Sequence, residues 1–106
     1  MPTTVVNVAG EDFDVYIGRA SPRRGLRASP YANPFKVGLD GDRYQVIEMY
    51  REWVDQGTDD RAIYIREHVH ELKGKRLGCW CKPSACHGDV LAAMADGVVQ
   101  IMHGED

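Results

Sequence analysis

No hydrophobic stretch in this chain approaches the roughly 20 apolar residues that a membrane span needs, so no membrane role is expected. The opening MPTTVVNVAGEDFD lacks the basic start and apolar run of a secretory signal, which makes the cytoplasm the expected location. Cysteine is sparse and odd in number: there are three, two of them flanking one tryptophan, which does not suit a secreted disulfide scaffold and points to free thiols. A positive surplus is missing too. Thirteen Lys and Arg against 16 Asp and Glu give a formal net charge of -3, which excludes a generally basic nucleic-acid binder. Repeats, low-complexity tracts and domain linkers are absent. What remains is an ordinary globular composition, 43% hydrophobic and 27% charged, in a length of 106 residues that suits one domain spanning 1–106.

Thr3 to Val8 (TTVVNV) is β-branched, and Phe13 to Ile17 (FDVYI) alternates apolar with polar; both read as strands. Turn residues Ala9 to Asp12 between them predict a hairpin. An irregular stretch follows from Gly18 to Gly38. Asp40 to Asp42 then offers caps for a helix whose Tyr44, Ile47, Tyr50, Trp53 and Val54 recur at helical spacing until Gln56 and Gly57. Thr58 or Asp59 caps a second helix with Ala62, Ile65, Val69 and Leu72 as its apolar stripe, ended by Gly74. Lys75 to Cys81 reads as a strand, Asp89 to Ala95 as a helix, and 98–102 (VVQIM) as a last strand or an extension. The order predicts an α/β fold: a small sheet of about three to five strands flanked by helices, in the manner of a Rossmann-like three-layer arrangement. Ligand sites in such folds lie beyond the carboxyl ends of strands, which here are the loops after Ile17 and Cys81.

The segment LGCWCKPSACHGDVL, residues 77–91, holds every cysteine. Cys79, Cys81, Cys86 and His87 spell C-x-C-x4-C-H, donors that zinc accepts tetrahedrally, although the paired knuckles of the usual structural site are absent. A second reading places Cys86 at a helix N-terminus, where free N–H groups and the peptide dipoles lower a thiol pKa and attract phosphate or carboxylate. His87 would then transfer protons, and Gly88 would let a ligand approach the backbone. A phosphatase loop of the C-x5-R type fails, because His87 stands where the arginine should be. A C-W-C redox switch lacks the usual spacing. Cys79 and Cys81 also suit a buried strand, since free cysteine packs as a small hydrophobe.

Between Asp14 and Asp40 there is no acidic residue, yet Arg19, Arg23, Arg24, Arg27 and Lys36 all fall there. That segregation creates a local positive field in an acidic protein. Tyr16, Tyr31 and Phe35 interleave with it as stacking surfaces, and Asn33 offers an amide to read a ligand edge. A solvated loop without a partner is the plain alternative. His68 and His70 read as part of a solvated helix face, Tyr50 and Trp53 as core, and Trp80 as core or pocket wall.

VYIGR (15–19), YANPF (31–35), YREW (50–53) and GKRLGCWCKPSACHGDVLA (74–92) together resemble domain-of-unknown-function family 4326, found in phages and actinobacteria. The resemblance covers nearly the whole chain and carries no settled activity with it. It implies a phage-type protein acting in a host cytoplasm. The last motif is also similar to family 488, in which a strand cysteine precedes a C-H-R helix start. Cys79 and the Cys86-His87 pair match that pattern, while Gly88 replaces the arginine and leaves any anion-binding charge to Arg19 or its neighbours.

These readings predict a protein that binds a nucleotide or other phosphorylated small molecule between loop 18–38 and the helix start at 86–89, in nucleotide metabolism or sequestration. Tyr16, Arg19, Arg23, Arg27, Asn33, Phe35, Cys81, Lys82 and Gly88 would bind the ligand. If there is catalysis, Cys86 would be the nucleophile and His87 its proton partner. The alternative is a non-catalytic module stapled by zinc through Cys79, Cys81, Cys86 and His87, using its basic loop on nucleic acid or a host protein.

Overall fold

The computed structural model describes residues 2–97, so the expected strand at 98–102 lies outside the described residues. The elements run β1 (Thr4–Asn7), β2 (Val15–Tyr16), α1 (Arg43–Gln56), α2 (Asp60–His68), β3 (Arg76–Cys79) and α3 (His87–Ala95), with short 3-10 turns at Pro22–Arg24 and Val69–Leu72. This is an α/β fold with one three-stranded sheet.

The sheet corrects one expectation. β1 and β2 do not form a hairpin: both pair with β3, in parallel, in the order β1-β3-β2. The turn signal at Ala9 to Asp12 is real, since the amides of Gly10 and Glu11 both donate to Asn7 O. That turn carries the chain across the end of the sheet rather than back along β1. The reason lies in β3, where Leu77, Gly78 and Cys79 are all buried. A strand covered on both faces belongs in the middle of a parallel sheet.

The helices gather on the Leu77 and Cys79 face of β3. Ile17, Tyr50, Val54, Ile65, Leu77, Val90 and Leu91 are at most 1% exposed and form one core cluster with Val69 and Leu72. The opposite face is closed differently. A Cβ at Gly78 would stand 2.7 Å from both Phe13 Cγ and Val8 Cγ1, so these two side chains lie directly on the strand. Among the described residues Phe13 and Val8 cover the face that a third layer would take in a Rossmann-like variant of this α/β fold.

α1 begins as its sequence predicts. Asp42 and Gln45 form a reciprocal capping box at 2.8 Å in both directions, satisfying two N–H groups the helix leaves open. Its inner face buries Val46, Tyr50 and Val54. α3 is capped by Cys86, whose backbone N–H donates to the Asp89 carboxylate at 3.1 Å. At the far end, Asp96 accepts from the Thr3 hydroxyl at 2.6 Å and from the Thr3 amide, tying α3 to the approach of β1.

The long irregular stretch is held by side chains that reach its backbone carbonyls. Tyr50 Oη donates to Tyr31 O at 2.7 Å, Arg61 to Ala32 O at 2.6 Å, and Arg19 to Asn33 O and Phe35 O at 2.9 and 3.0 Å. A loop without regular hydrogen bonding thus has its acceptors satisfied by the elements it crosses.

Candidate functional site

A cavity of about 490 Å³ opens between the start of the long loop, the N-terminal turn of α1 and the corner joining β3 to α3. The carboxyl ends of two parallel strands feed it, through Tyr16 and Gly18 after β2 and Cys79 to Cys81 after β3. Three cations line it, Arg19, Lys36 and Arg43, together with the aromatic rings of Tyr16, Phe35 and Trp80. Among the described residues, no carboxylate lines it.

Sequence reasoning named eight of the lining residues: Tyr16, Arg19, Asn33, Phe35, Cys79, Cys81, Cys86 and His87. The remaining ligand candidates sit elsewhere. Arg23 and Arg27 are exposed outside the cavity, the first on the 3-10 turn. Lys82 pairs with Asp89 at 2.8 Å. Gly88 faces the sheet instead of a ligand: a Cβ there would meet Ile17 Cδ1 at 2.7 Å and Val5 Cγ1 at 3.0 Å, so the missing side chain lets α3 lie close on the strands. Asn33 lines the cavity, but its amide is engaged, donating to Val46 O at 3.3 Å and accepting from Phe35 N at 2.9 Å. It shapes the loop rather than offering a free edge.

Ten lining residues were not named as ligand or metal candidates, and three of them bring charge or a large ring: Lys36, Arg43 and Trp80, the last read from the sequence as core or pocket wall. Lys36 carried a charge but no positional signal. Trp80 projects into solvent at 41% exposure, donates through Nε1 to Tyr16 Oη at 2.9 Å, and lies under the Arg24 guanidinium at 5.4 Å. Arg43 opens α1 and reaches the corner 42 residues further on, donating to Ala85 O at 3.2 Å. Nothing local in the sequence signals that contact.

On one wall of the cavity lie the three thiols. The Sγ atoms of Cys79, Cys81 and Cys86 all fall within 4.8 Å of one another, close enough to bind a metal ion. The Cys86 thiol donates to Cys79 Sγ at 3.0 Å, and Gly88 N donates to Cys86 Sγ at 3.4 Å. Cys79 and Cys86 are buried, whereas Cys81 is half-buried.

The thiols differ in acidity. Hydrogen bonds from Cys79 and Cys86 hold Cys81 well below the ordinary thiol value, and Arg43 beside it acts in the same sense. Cys86 is pushed far up, chiefly by its hydrogen bonds to Cys79 and Cys81 and then by burial. Cys79 is also raised, chiefly through its bond to Cys81. The expected lowered thiol at Cys86 is therefore replaced by one at Cys81: the helix N-terminus does act on Cys86 through Gly88 N, but donating to neighbouring sulfurs outweighs it.

His87 is buried and held neutral, its pKa lowered mainly by that burial. Nε2 lies 2.8 Å from Ile17 O, and since a carbonyl only accepts, Nε2 carries the proton. Nδ1 is left beside Cys86 Sγ at 3.5 Å. The His87 nitrogens are not part of the three-sulfur grouping, so the four-donor zinc set expected from the sequence is assembled only as far as its cysteines.

Together these features define a small parallel α/β domain with a cationic, aromatic cavity walled by clustered thiols. The chain belongs to the family described as Domain of unknown function (DUF4326), whose model matches residues 5–97. It is 38% identical over 89 residues, 83% of this chain and 72% of the relative, to an uncharacterized 12.4 kDa protein in the nrdA-td intergenic region of Enterobacteria phage T4. It is 32% identical over 91 residues, 76% of this chain and 65% of the relative, to uncharacterized protein R718 of Acanthamoeba polyphaga mimivirus. No solved structure matches the chain with significance. No helix among the described residues is long and apolar enough to cross a membrane.

Proposed function

We propose that this protein binds a nucleotide or another phosphorylated small molecule in the cavity, as part of nucleotide metabolism or sequestration. The observation that carries the reading is the composition of the wall: Arg19, Lys36 and Arg43 with Tyr16, Phe35 and Trp80, and no carboxylate among the described residues. Guanidinium and ammonium groups recognise phosphate, and aromatic faces stack on a base. The volume of about 490 Å³ is that of an ordinary small-molecule site, between about 300 and 1,000 Å³.

The cations contribute differently. Arg19 is held by the carbonyls of Asn33 and Phe35, so it orders the loop and presents what remains of its donor fork. Arg43 spends one bond on Ala85 O. Lys36 sits exposed on the loop and is the cation best placed to meet a phosphate without giving up a structural bond.

Isothermal titration calorimetry with nucleoside 5′-monophosphates, the matching nucleosides and inorganic phosphate tests the reading. Hydrogen bonds to a charged group are worth about 1.5–3 kcal/mol, so removing the phosphate from the best ligand should weaken binding about 10- to 100-fold. Lys36→Ala should weaken the monophosphate and leave the nucleoside unchanged. If no monophosphate binds at millimolar concentration, or if nucleoside and nucleotide bind alike, the proposal is wrong.

A further inference from the structure

We propose that Cys79, Cys81 and Cys86 form a three-thiolate centre for a zinc-class divalent ion, with the fourth coordination position open to the cavity. This is a different site from the four-donor structural zinc considered from the sequence: it lacks histidine, and its vacant position is its function.

Four observations converge on it. The three sulfurs already lie within 4.8 Å of one another, from three separate points on the chain: the end of β3, the following loop and the first residue before α3. Ligand sulfurs at a Zn–S distance of about 2.3 Å in a tetrahedron stand about 3.8 Å apart, a spacing between the 3.0 Å of the Cys79 and Cys86 pair and the 4.8 Å that bounds the whole cluster. A backbone amide already donates to one ligand sulfur, Gly88 N to Cys86 Sγ at 3.4 Å. The charge also balances. Three thiolates and a divalent ion sum to -1, and the Arg43 guanidinium lies beside Cys81 to offset it. Binding replaces the remaining thiol protons, which leave to solvent, and no electron is transferred.

The open position follows from the surroundings. All three cysteines line the cavity, and Cys81 is the half-buried member. His87 commits Nε2–H to Ile17 O, and its Nδ1, although 3.5 Å from Cys86 Sγ, is not part of the three-sulfur grouping. An ion with three protein ligands and a vacant site is the arrangement of catalytic rather than structural zinc. A donor atom of whatever fills the cavity would complete the shell.

The test uses the full-length protein, reduced with a phosphine under nitrogen, stripped by a chelator and titrated with cobalt(II) in the absence of any nucleotide. The result is thus independent of the ligand proposed above, and either idea can fail alone. We expect one cobalt per chain, a sulfur-to-cobalt charge-transfer band, and displacement by zinc. Cys81→Ser should weaken binding more than about 100-fold, beyond the 10- to 100-fold typical of outer-shell partners. Cys86→Ser should do the same while keeping the fold, since serine is a good N-cap. His87→Gln should keep the charge-transfer intensity. Imidazole added to the cobalt protein should shift the visible bands by entering the vacant position. Absence of the charge-transfer band, or a band indifferent to both cysteine variants, overturns the site. A band that fails in His87→Gln and ignores imidazole overturns the open position in favour of a closed four-ligand one.

Discussion

Tyr50→Phe probes the link between the core and the loop that walls the cavity. The ring of Tyr50 is fully buried, and its hydroxyl donates to Tyr31 O at 2.7 Å. Phenylalanine fills the same space, so the packing is kept while a buried carbonyl loses its partner, a loss of about 1–2 kcal/mol at neutral pH. The same hydroxyl has an alkaline signature. Burial pushes its ionisation far above the ordinary 10.0, so the folded chain keeps a proton that the unfolded chain gives up. A raised pKa contributes stability that is complete below pH 10 and is lost as pH rises. Above that point Tyr50 alone removes about 1.4 kcal/mol per pH unit, or about 1.4 kcal/mol by pH 11. The phenylalanine variant escapes this loss. Tyr31, pushed up to about 12 mainly by burial, is present in both proteins and cancels from the comparison. Urea unfolding followed by tryptophan fluorescence should therefore show two stabilities separated by about 1–2 kcal/mol at pH 7 and nearly equal at pH 11, with unchanged m-values. A gap that stays constant to pH 11 would mean that the phenol ionises as easily in the folded chain as in the unfolded one, and that burial does not hold its proton.

Gly88→Ala should destabilise the fold by about 1–2 kcal/mol: the new methyl overpacks Ile17 and Val5, and the gain in helix propensity recovers only part of that. Chemical denaturation measures it, and a neutral or stabilising result would show that α3 can lift from the sheet at no cost. Arg23→Ala, Arg27→Ala and Lys82→Ala should each leave nucleotide affinity within about twofold and stability within about 0.5 kcal/mol, since none of the three lines the cavity and surface substitutions are usually that mild. A large affinity loss in any of them would move the site toward the outer loop.

Local signals reported the helices well because helices are local. Asp42, one of the caps offered by the sequence, closes a capping box with Gln45; of the expected stripe Tyr50 and Val54 are buried and Ile47 and Trp53 half-buried, while Tyr44 at the helix start is exposed. The start of α3 fell two residues earlier than the apolar run suggested, at His87, because a cysteine serves as its cap. The sheet was less legible. Turn residues at 9–12 say that the chain turns, not which strand it meets next. That choice was made by RLGC at 76–79, far along the chain, whose burial on both faces claims the central position.

The candidate site divides along the same line. Cysteine spacing announced the thiol cluster because β3, the loop and the α3 cap are consecutive, so proximity in sequence becomes proximity in space. The charges behaved otherwise. Five cations share the acid-free stretch, yet only Arg19 and Lys36 of them line the cavity, while a third cation, Arg43, comes from beyond the stretch. Arg19 turns inward because it directly follows the strand end and finds two loop carbonyls to bind. Arg23 and Arg24 lie on a 3-10 turn whose residues are all exposed. A run of like charge therefore marks where a field will be, and only the hydrogen-bond acceptors of the folded backbone decide which members point into it.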